Sequence, residues 1–173
     1  LEEIVVTAQK REQASLDVPV AIGTFSAKDM ANTGAMTLQE IGDYIPGFDA
    51  GGETFTQQSY SLRGISSPNI STGGDPSAAT FYDEVYLPRA ATTVALAAME
   101  RVEVLMGPQG TLFGRNAAVG VISLVPRAPA DEFEAFVNTR FGNYNLVRVE
   151  GMVNVPVTDT FFVRANAISN ERD

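Results

Sequence analysis

Phe133-Glu134-Ala135-Phe136-Val137-Asn138-Thr139-Arg140-Phe141 is the stretch that decides the fold, because apolar side chains occupy every second position. The same alternation returns at residues 147–155 and again at residues 161–167. Successive side chains on a strand point to opposite faces, so each segment predicts a strand with one apolar and one mostly polar face. The segments run about 9–11 residues, the length that a tilted strand needs to cross a bilayer. An open sheet in lipid would leave its edges unpaired, so the segments are either a soluble meander or the start of a larger barrel.

The composition excludes several classes of function. The 173 residues include 12 Lys and Arg against 21 Asp and Glu, a net charge of −9, which argues against a nucleic-acid partner. There is no cysteine and no histidine, so disulfides, thiolate nucleophiles, zinc–sulfur sites and the commonest general base are excluded. Acidic pairs such as Asp83-Glu84 and Glu100/Glu103 therefore indicate surface charge or ion pairs, and we expect no catalytic residue, metal site or cofactor. No apolar run approaches the roughly 18 residues of a membrane helix.

The N-terminus divides into a β-prone segment, Ile4-Val5-Val6-Thr7-Ala8, and a polar stretch at residues 9–17 that predicts a flexible tether. A strand at a chain end, followed by a tether, suits two roles. It is either an edge strand of its own domain or a strand offered to the sheet edge of a partner. The residues alone leave both open.

Residues 18–130 predict one compact α+β unit. Capping boxes at Ser26 and Thr37 predict two short helices, and the alanine-rich segment 90–100 predicts a third. Two long segments without periodicity predict loops, which in small domains are usually functional. The glycine cluster at residues 107–114 lacks the Gly-Lys-Ser/Thr of a phosphate loop and predicts tight turns at positive φ. The expected strands are 18–25, 59–65, 80–87, 101–106 and 119–125, and the expected loops are 47–58 and 66–79.

Taken in order, these motifs resemble the N-terminal part of a TonB-dependent outer-membrane receptor. Glu3-Ile4-Val5-Val6-Thr7-Ala8 is similar to the TonB box, the segment that binds TonB. Further matches are Val18-Pro19-Val20-Ala21-Ile22, Leu38-Gln39-Glu40-Ile41 with Ile45-Pro46-Gly47, and Arg115-Asn116-Ala117-Ala118. The plug signature is matched by Arg63-Gly64, Arg101 and Glu103, Gly107-Pro108 and Gly114.

The resemblance implies an α+β plug domain with a small mixed β-sheet and short helices, followed by the first antiparallel strands of a transmembrane β-barrel. Residues 1–17 would be the TonB box and flexible tether, 18–130 the plug, and 131–173 the first three barrel strands. Asn143 and its neighbours would form the first extracellular loop and residues 156–159 the first periplasmic turn. Since the chain ends in what looks like mid-strand, we expect it to be a fragment.

The same resemblance implies a transporter and not an enzyme. It would sit in the outer membrane of a Gram-negative bacterium, with the plug inside the barrel and the TonB box in the periplasm. Its partners would be TonB with the inner-membrane energising complex, its own barrel, outer-membrane lipid and a small ligand such as a metal chelate, by default a ferric siderophore. The loops at 49–58 and 66–79 would face outward, with Gln57, Gln58, Asn69 and Asp75 toward the ligand.

Four positions depart from the family pattern. Met106 stands where an arginine is common, which removes a candidate plug–barrel ion pair. Val119 replaces the first of two glycines, Ser123 an asparagine and Pro126 a threonine. The second interpretation of the chain is a soluble or surface-exposed binding module, whose three-stranded tail would pack on its core; an enzyme is the third.

Overall fold

The structure, a computed structural model, describes residues 5–7, 10, 13–14, 17–54, 57–67, 74–92, 96–171 and 173. It contains two compact units, Leu1–Pro126 and Arg127–Asp173. Within the described part of the chain, no helix is both long and apolar enough to cross a bilayer. The predicted bounds of the three functional parts, at residues 17 and 130, stay a prediction.

A mixed five-stranded sheet organises the first unit. Its strands lie in the order β3-β8-β9-β6-β7, and all neighbours are antiparallel except the parallel pair β6 and β9. Two antiparallel hairpins, β1-β2 and β4-β5, complete the strands of this unit among the described residues. The elements are β1 Val5–Val6, β2 Gln13–Ala14, β3 Ala21–Ser26, α1 Ala27–Thr33, α2 Leu38–Gly42, β4 Phe48–Thr54, β5 Gln57–Leu62, β6 Ala78–Tyr82, β7 Val85–Leu87, a 3₁₀ helix Arg89–Ala91, β8 Met99–Met106, α3 Gly110–Phe113 and β9 Gly120–Pro126.

Both predicted capping boxes are present. The Ser26 hydroxyl accepts from the Asp29 backbone N–H at 3.2 Å, and the Asp29 carboxylate accepts from the Ser26 N–H at 2.9 Å. The Ser26 hydroxyl also donates to this carboxylate at 2.6 Å, and this bond, together with the one from the Ser26 N–H, lowers the pKa of Asp29 from its ordinary value of 3.8. Gly34 ends α1 in the left-handed conformation, as its position predicts. Thr37 and Glu40 form the same reciprocal arrangement at α2, which ends at Gly42 with Asp43 as its C-cap.

The sheet separates two groups of buried apolar residues. The first core contains Val104 and Ile122, whereas the second core contains their sequence neighbours Leu105 and Val121. This division follows from the alternation of side chains along a strand. The second core also receives Val6 from β1, which is fully buried. The first unit therefore uses both faces of its sheet.

Three sequence predictions for this unit are wrong. Residues 48–54, expected to be loop, form β4, which pairs with β5 through a register shift between Gly51 and Thr54; the adjacent glycines hide the alternation of this strand. The helix expected at 90–100 is absent from the described residues there, because β8 already begins at Met99. The single strand expected at 80–87 is the hairpin β6-β7, turned at Asp83 and Glu84, both at positive φ.

The second unit is a three-stranded antiparallel meander, β10 Glu134–Gly142, β11 Leu146–Thr158 and β12 Phe161–Glu171. Its alternation is as predicted: Val137 and Phe141 on one face are 72% and 73% exposed, whereas Asn154 on the other is fully buried. The Asn154 side chain donates to the backbone carbonyls of residues 130 and 132 at 2.8 and 2.6 Å, which satisfies its buried amide. The turn predicted at 156–159 is wrong, because β11 continues to Thr158 past an irregularity after Pro156. The mixed sheet with short helices, followed by antiparallel strands, confirms the predicted fold class.

Candidate functional site: the N-terminal strand and the plug signature

The N-terminal strand β1 is held against the sheet of its own unit. Val5 and Val6 pair with Ala14 and Gln13 of β2, so part of the predicted tether is ordered as a strand. Val5 is 44% exposed, whereas Val6 is 0% exposed and packs in the second core. Of the predicted TonB box, Glu3, Ile4 and Ala8 lie outside the described residues.

Two side chains of β8, Arg101 and Glu103, secure Thr7, the residue that follows this strand. The Thr7 backbone N–H donates to Glu103 Oε1 at 2.8 Å, and the Thr7 hydroxyl reaches the same oxygen at 3.3 Å. Arg101 Nε donates to Glu103 Oε1 at 2.7 Å, and Arg101 Nη2 donates to Thr7 Oγ1 at 3.3 Å. We call Thr7, Arg101 and Glu103 the latch. It joins two of the predicted plug-signature residues to the predicted TonB box.

The alternation of β8 explains how the latch is built. Arg101 and Glu103 are two positions apart and therefore share one face of β8, while Val102 and Val104 point into the first core. Glu103 is 0% exposed, and a carboxylate buried to that degree requires a charged partner and hydrogen bonds. Arg101 supplies that charge, and its side chain is itself only 11% exposed. It also pairs with the more exposed Glu100. Thr7 supplies further hydrogen bonds.

A small cavity adjoins the latch. It is about 20 Å³ in volume, and its lining includes Thr7, Lys10, Glu103 and Ser123. The second carboxylate oxygen of Glu103 is buried and has no hydrogen-bond partner. The Lys10 ammonium lies 5.7 Å from the centre of the Phe113 ring, a cation–π contact that adds a second attachment for the N-terminal segment. The segment is thus held by apolar burial, charge-assisted hydrogen bonds and a ring contact.

The glycine-rich part of the signature forms turns, as predicted. Gly107 lies at φ 115° and its N–H donates to the Val119 carbonyl at 2.9 Å; Gly114 ends α3 at φ 75°. Pro108 follows Gly107 in this connection, and the short helix α3 within the cluster was not predicted. At Gly120, an added Cβ would lie 2.2 Å from the Leu105 carbonyl oxygen. Gly120 is therefore the glycine that the close approach of the backbone requires. Val119, one residue earlier, can carry a side chain at the position where the family usually has the first of two glycines.

The remaining predicted residues are distributed over the first unit. Arg63 and Gly64 form the turn after β5, both at positive φ, and the Arg63 side chain is exposed. Gln57 and Gln58 begin β5, and Asn69 lies outside the described residues. Asp75 Oδ1 accepts from the Asn116 side chain at 3.2 Å, next to the exposed Arg115 at 3.9 Å. The structure thus does not bring the four predicted ligand-facing residues into one described cluster.

Sequence reasoning missed that the box and the signature touch each other. Thr7 and Glu103 are 96 positions apart, and no periodic signal links residues so distant. Among the described residues, no group of three or more acidic side chains is arranged to hold a metal ion. In the described residues the N-terminal strand is packed against its own unit and held there by the latch; we call this position stowed. Among the same residues we identify no group placed for catalysis.

Comparison with known proteins identifies the family of the chain. The family model for the TonB-dependent receptor plug domain matches residues 14–121. The ferripyoverdine receptor of Pseudomonas aeruginosa is 27% identical over 169 residues, covering 98% of this chain and 20% of the receptor. The pesticin receptor of Yersinia pestis is 28% identical over 160 residues, covering 90% of this chain and 23% of that protein. The chain thus spans about a fifth of the length of these relatives.

Solved structures show the same fold. The ferric yersiniabactin uptake receptor of Yersinia pestis superposes with a TM-score of 0.79 at 24% identity, over 86% of this chain and 24% of that one. The alcaligin outer-membrane receptor of Bordetella pertussis gives a TM-score of 0.79 at 19% identity, over 98% of this chain and 29% of that one. At such identities the likeness establishes the fold alone, whereas the family match covers more than half of the chain. The chain belongs to the family of TonB-dependent receptor plug domains.

Proposed function

We propose that the chain is the plug and first barrel strands of an outer-membrane active transporter. The transporter admits a large, scarce ligand, by default a ferric siderophore, and draws its energy from TonB. Membership of the plug family supports this role, as do relatives named as ferripyoverdine and ferric yersiniabactin receptors. Each charge that crosses the inner membrane supplies about 2.3 kcal/mol per 100 mV for the energising complex to deliver.

The observation that carries the proposal is the stowed N-terminal strand. A partner that extends a sheet with residues 3–8 needs their backbone N–H and C=O groups. In the described conformation the Thr7 N–H is bonded to Glu103, and the Val6 side chain is buried. The strand must therefore leave the latch before TonB can pair with it. This arrangement suits a segment that is presented only on a signal, and the ligand supplies that signal.

The second unit supports a membrane location for the proposed barrel. The face carrying Val137 and Phe141 is exposed and apolar, whereas the opposite face carries charged pairs. Glu134 pairs with Arg164 at 3.0 Å and with Arg127 at 3.2 Å. An apolar outer face and a polar inner face are what lipid and a water-filled lumen require. We therefore assign the apolar face to outer-membrane lipid, with the TonB box on the periplasmic side.

We propose that the segments around Gln57, Gln58, Asn69 and Asp75 face the ligand. Of these residues, Asp75 accepts from the Asn116 side chain at 3.2 Å and lies 3.9 Å from the exposed Arg115, so its segment presents donors next to a carboxylate. Oxygen-rich metal chelates are bound by such mixed polar groups. Met106, which replaces the common arginine, is partly buried against the first core and supplies no charge there.

The test is uptake by the intact protein in cells lacking their own siderophore receptors. Radioactive iron carried by a panel of siderophores should enter only when TonB is present. Val6→Pro should abolish TonB binding in calorimetry, because proline removes a strand donor. Val137→Ala, far from the strand in sequence, is the matched control and should bind TonB normally. Uptake that persists without TonB would refute the proposed function.

A further inference from the structure

A row of aromatic side chains lies between Lys10, in the N-terminal segment, and a polar cluster around Asp75. The Lys10 ammonium is 5.7 Å from the centre of the Phe113 ring. The ring centres of Phe113 and Phe81 are 5.3 Å apart, and those of Phe81 and Tyr86 are 5.8 Å apart. These are distances of favourable aromatic pairs, so each ring contacts the next. We call Phe113, Phe81 and Tyr86 the aromatic row.

Asn116 joins the far end of the aromatic row to Asp75. Its side-chain amide donates to Tyr86 Oη at 3.0 Å and to Asp75 Oδ1 at 3.2 Å, so one nitrogen uses both of its hydrogens. Ser67 Oγ, near the start of the predicted loop 66–79, donates to the Asp75 carbonyl at 3.4 Å. Asp75 is therefore tied to the base of that loop and, through Asn116, to the aromatic row.

The aromatic row also belongs to the core that holds the stowed strand. Phe81 is 9% exposed and lies in the second core together with Val6. Packed rings of a protein interior move together, since few voids separate them. If Tyr86 loses its bond from Asn116, its ring is free to shift against Phe81. The other end of the row, which carries the Lys10 contact, then holds the N-terminal segment less firmly.

We propose that Asp75 and Asn116 couple the predicted ligand-facing loop to the N-terminal segment through the aromatic row. A ligand whose hydrogen-bond donors draw the Asp75 carboxylate away from Asn116 loosens the row and raises the fraction of molecules with a released strand. The shift is no larger than the exposed Lys10 contributes, which for such a cation–π contact is about a two- to fivefold change in that fraction. The inference rests on the proposed function in one respect, that the ligand acts by releasing the strand.

Thiol labelling of the intact protein tests this coupling. The native chain contains no cysteine, so Val6→Cys supplies one thiol, which is buried in the stowed strand and reacts with a maleimide only after release. In this background Asp75→Ala should label about two to five times faster than the parent. Tyr86→Phe, which keeps the ring and removes the oxygen that accepts from Asn116, should do the same. Arg115→Gln is the matched control and should leave the rate unchanged, because it removes only the exposed partner that lies 3.9 Å from Asp75.

A double-mutant cycle shows whether the effect passes through Lys10. Lys10→Met removes the charge and keeps most of the side-chain length, so it should also label about two to five times faster. If Asp75 acts through this contact, adding Asp75→Ala to Lys10→Met should cause no further increase. A double variant that labels faster than Lys10→Met shows a separate effect and overturns the inference, and so does an Asp75→Ala rate equal to that of the parent.

The two kinds of failure are distinguishable. Labelling needs neither TonB nor a ligand, so an unchanged rate in Asp75→Ala overturns the coupling while TonB-dependent uptake can still stand. Uptake that persists without TonB refutes the proposed function, whereas the labelling rates still report whether Asp75 and Lys10 are coupled.

Discussion

Neutralising Glu103 should release the N-terminal strand without unfolding the unit. Glu103→Gln keeps the shape of the side chain and one acceptor oxygen, but it removes the charge that receives hydrogen bonds from Thr7 and Arg101 at 2.8 and 2.7 Å. Bonds to a charged group contribute about 1.5–3 kcal/mol and neutral ones about 0.5–1.5, so each bond loses about 1 to 1.5 kcal/mol. Of the two, only the bond from Thr7 breaks when the strand leaves, because Arg101 and Glu103 lie on the same strand. That difference is about tenfold in the fraction of molecules whose strand is released.

Thiol labelling measures this fraction directly, because the chain has no cysteine of its own. Val6→Cys places a thiol where the native side chain is 0% exposed, so a maleimide reacts only when the strand leaves the second core. The labelling rate then follows the released population, provided that closing is fast relative to the reaction. We expect Glu103→Gln in the Val6→Cys background to label about ten times faster, while the cost of the cysteine itself cancels between the two proteins.

The matched control is Glu100→Gln, which removes a carboxylate from the same arginine. Glu100 is 49% exposed, and exposed ion pairs contribute about 0–1 kcal/mol, so the labelling rate should change much less than for Glu103→Gln. Equal rates for Glu103→Gln and the parent would show that the carboxylate does not hold the strand. A slower rate would show that the cost of burying its charge exceeds what its bonds contribute.

The other predictions concern packing, pH and the membrane face. Gly120→Ala should lower the free energy of unfolding by about 3 kcal/mol or more in urea titration, because its Cβ would overlap backbone, whereas Gly51→Ala, with nothing within 4 Å, should leave it unchanged within about 1 kcal/mol. The pKa of Asp29 in the folded protein lies below its ordinary value of 3.8. The contribution of Asp29 to capping α1 is therefore complete above about pH 3.8 and is lost as the pH falls through the lower, folded-state pKa. Hydrogen exchange of the α1 amides would detect this loss. Val149→Arg on the apolar face should cost about 2–4 kcal/mol at mid-membrane and impair barrel assembly in cells, while Asn138→Arg on the polar face should be tolerated; equal assembly of the two variants would reject the assignment of faces.

The sequence predicted those features whose cause is local. The cap at Ser26 and Asp29 needs only residues three positions apart, and the apolar alternation of β10 and β11 needs only neighbours. Strand β4 escaped prediction because adjacent glycines interrupt its pattern, although Phe48 and Ala50 both point into the first core. The expected alanine-rich helix failed for the opposite reason. Composition favoured a helix, but tertiary packing prevails, since Leu96 is buried and its N–H donates to the Met36 carbonyl at 3.0 Å.

The candidate site was predicted in its parts but not in its connection. The alternation of β8 suffices to place Arg101 and Glu103 on one face, and the N-terminal strand was recognised as a strand. What could not be derived is that the two meet, because their contact depends on where the folded sheet leaves a buried acceptor. The signal in the sequence is Glu103 itself, a glutamate between apolar neighbours in a predicted strand, because a carboxylate that is buried there needs a partner.

The position of β8 in the sheet determines which side of the latch gives way first when the N-terminus is pulled. Strand β8 is paired on both sides, with β3 and with β9, and its Val102 and Val104 are fully buried in the first core. Such a strand is among the last parts of a unit to open. Strand β1, by contrast, has only the two-residue β2 as a pairing partner among the residues that the structure describes, and of its own two side chains it buries Val6. The latch therefore joins a strand that is paired along both edges to a strand with a two-residue partner, so a pull on the N-terminus should first break the bonds of Thr7. Since β8 does not have to move for this release, the strand can be presented and stowed again while the sheet stays intact.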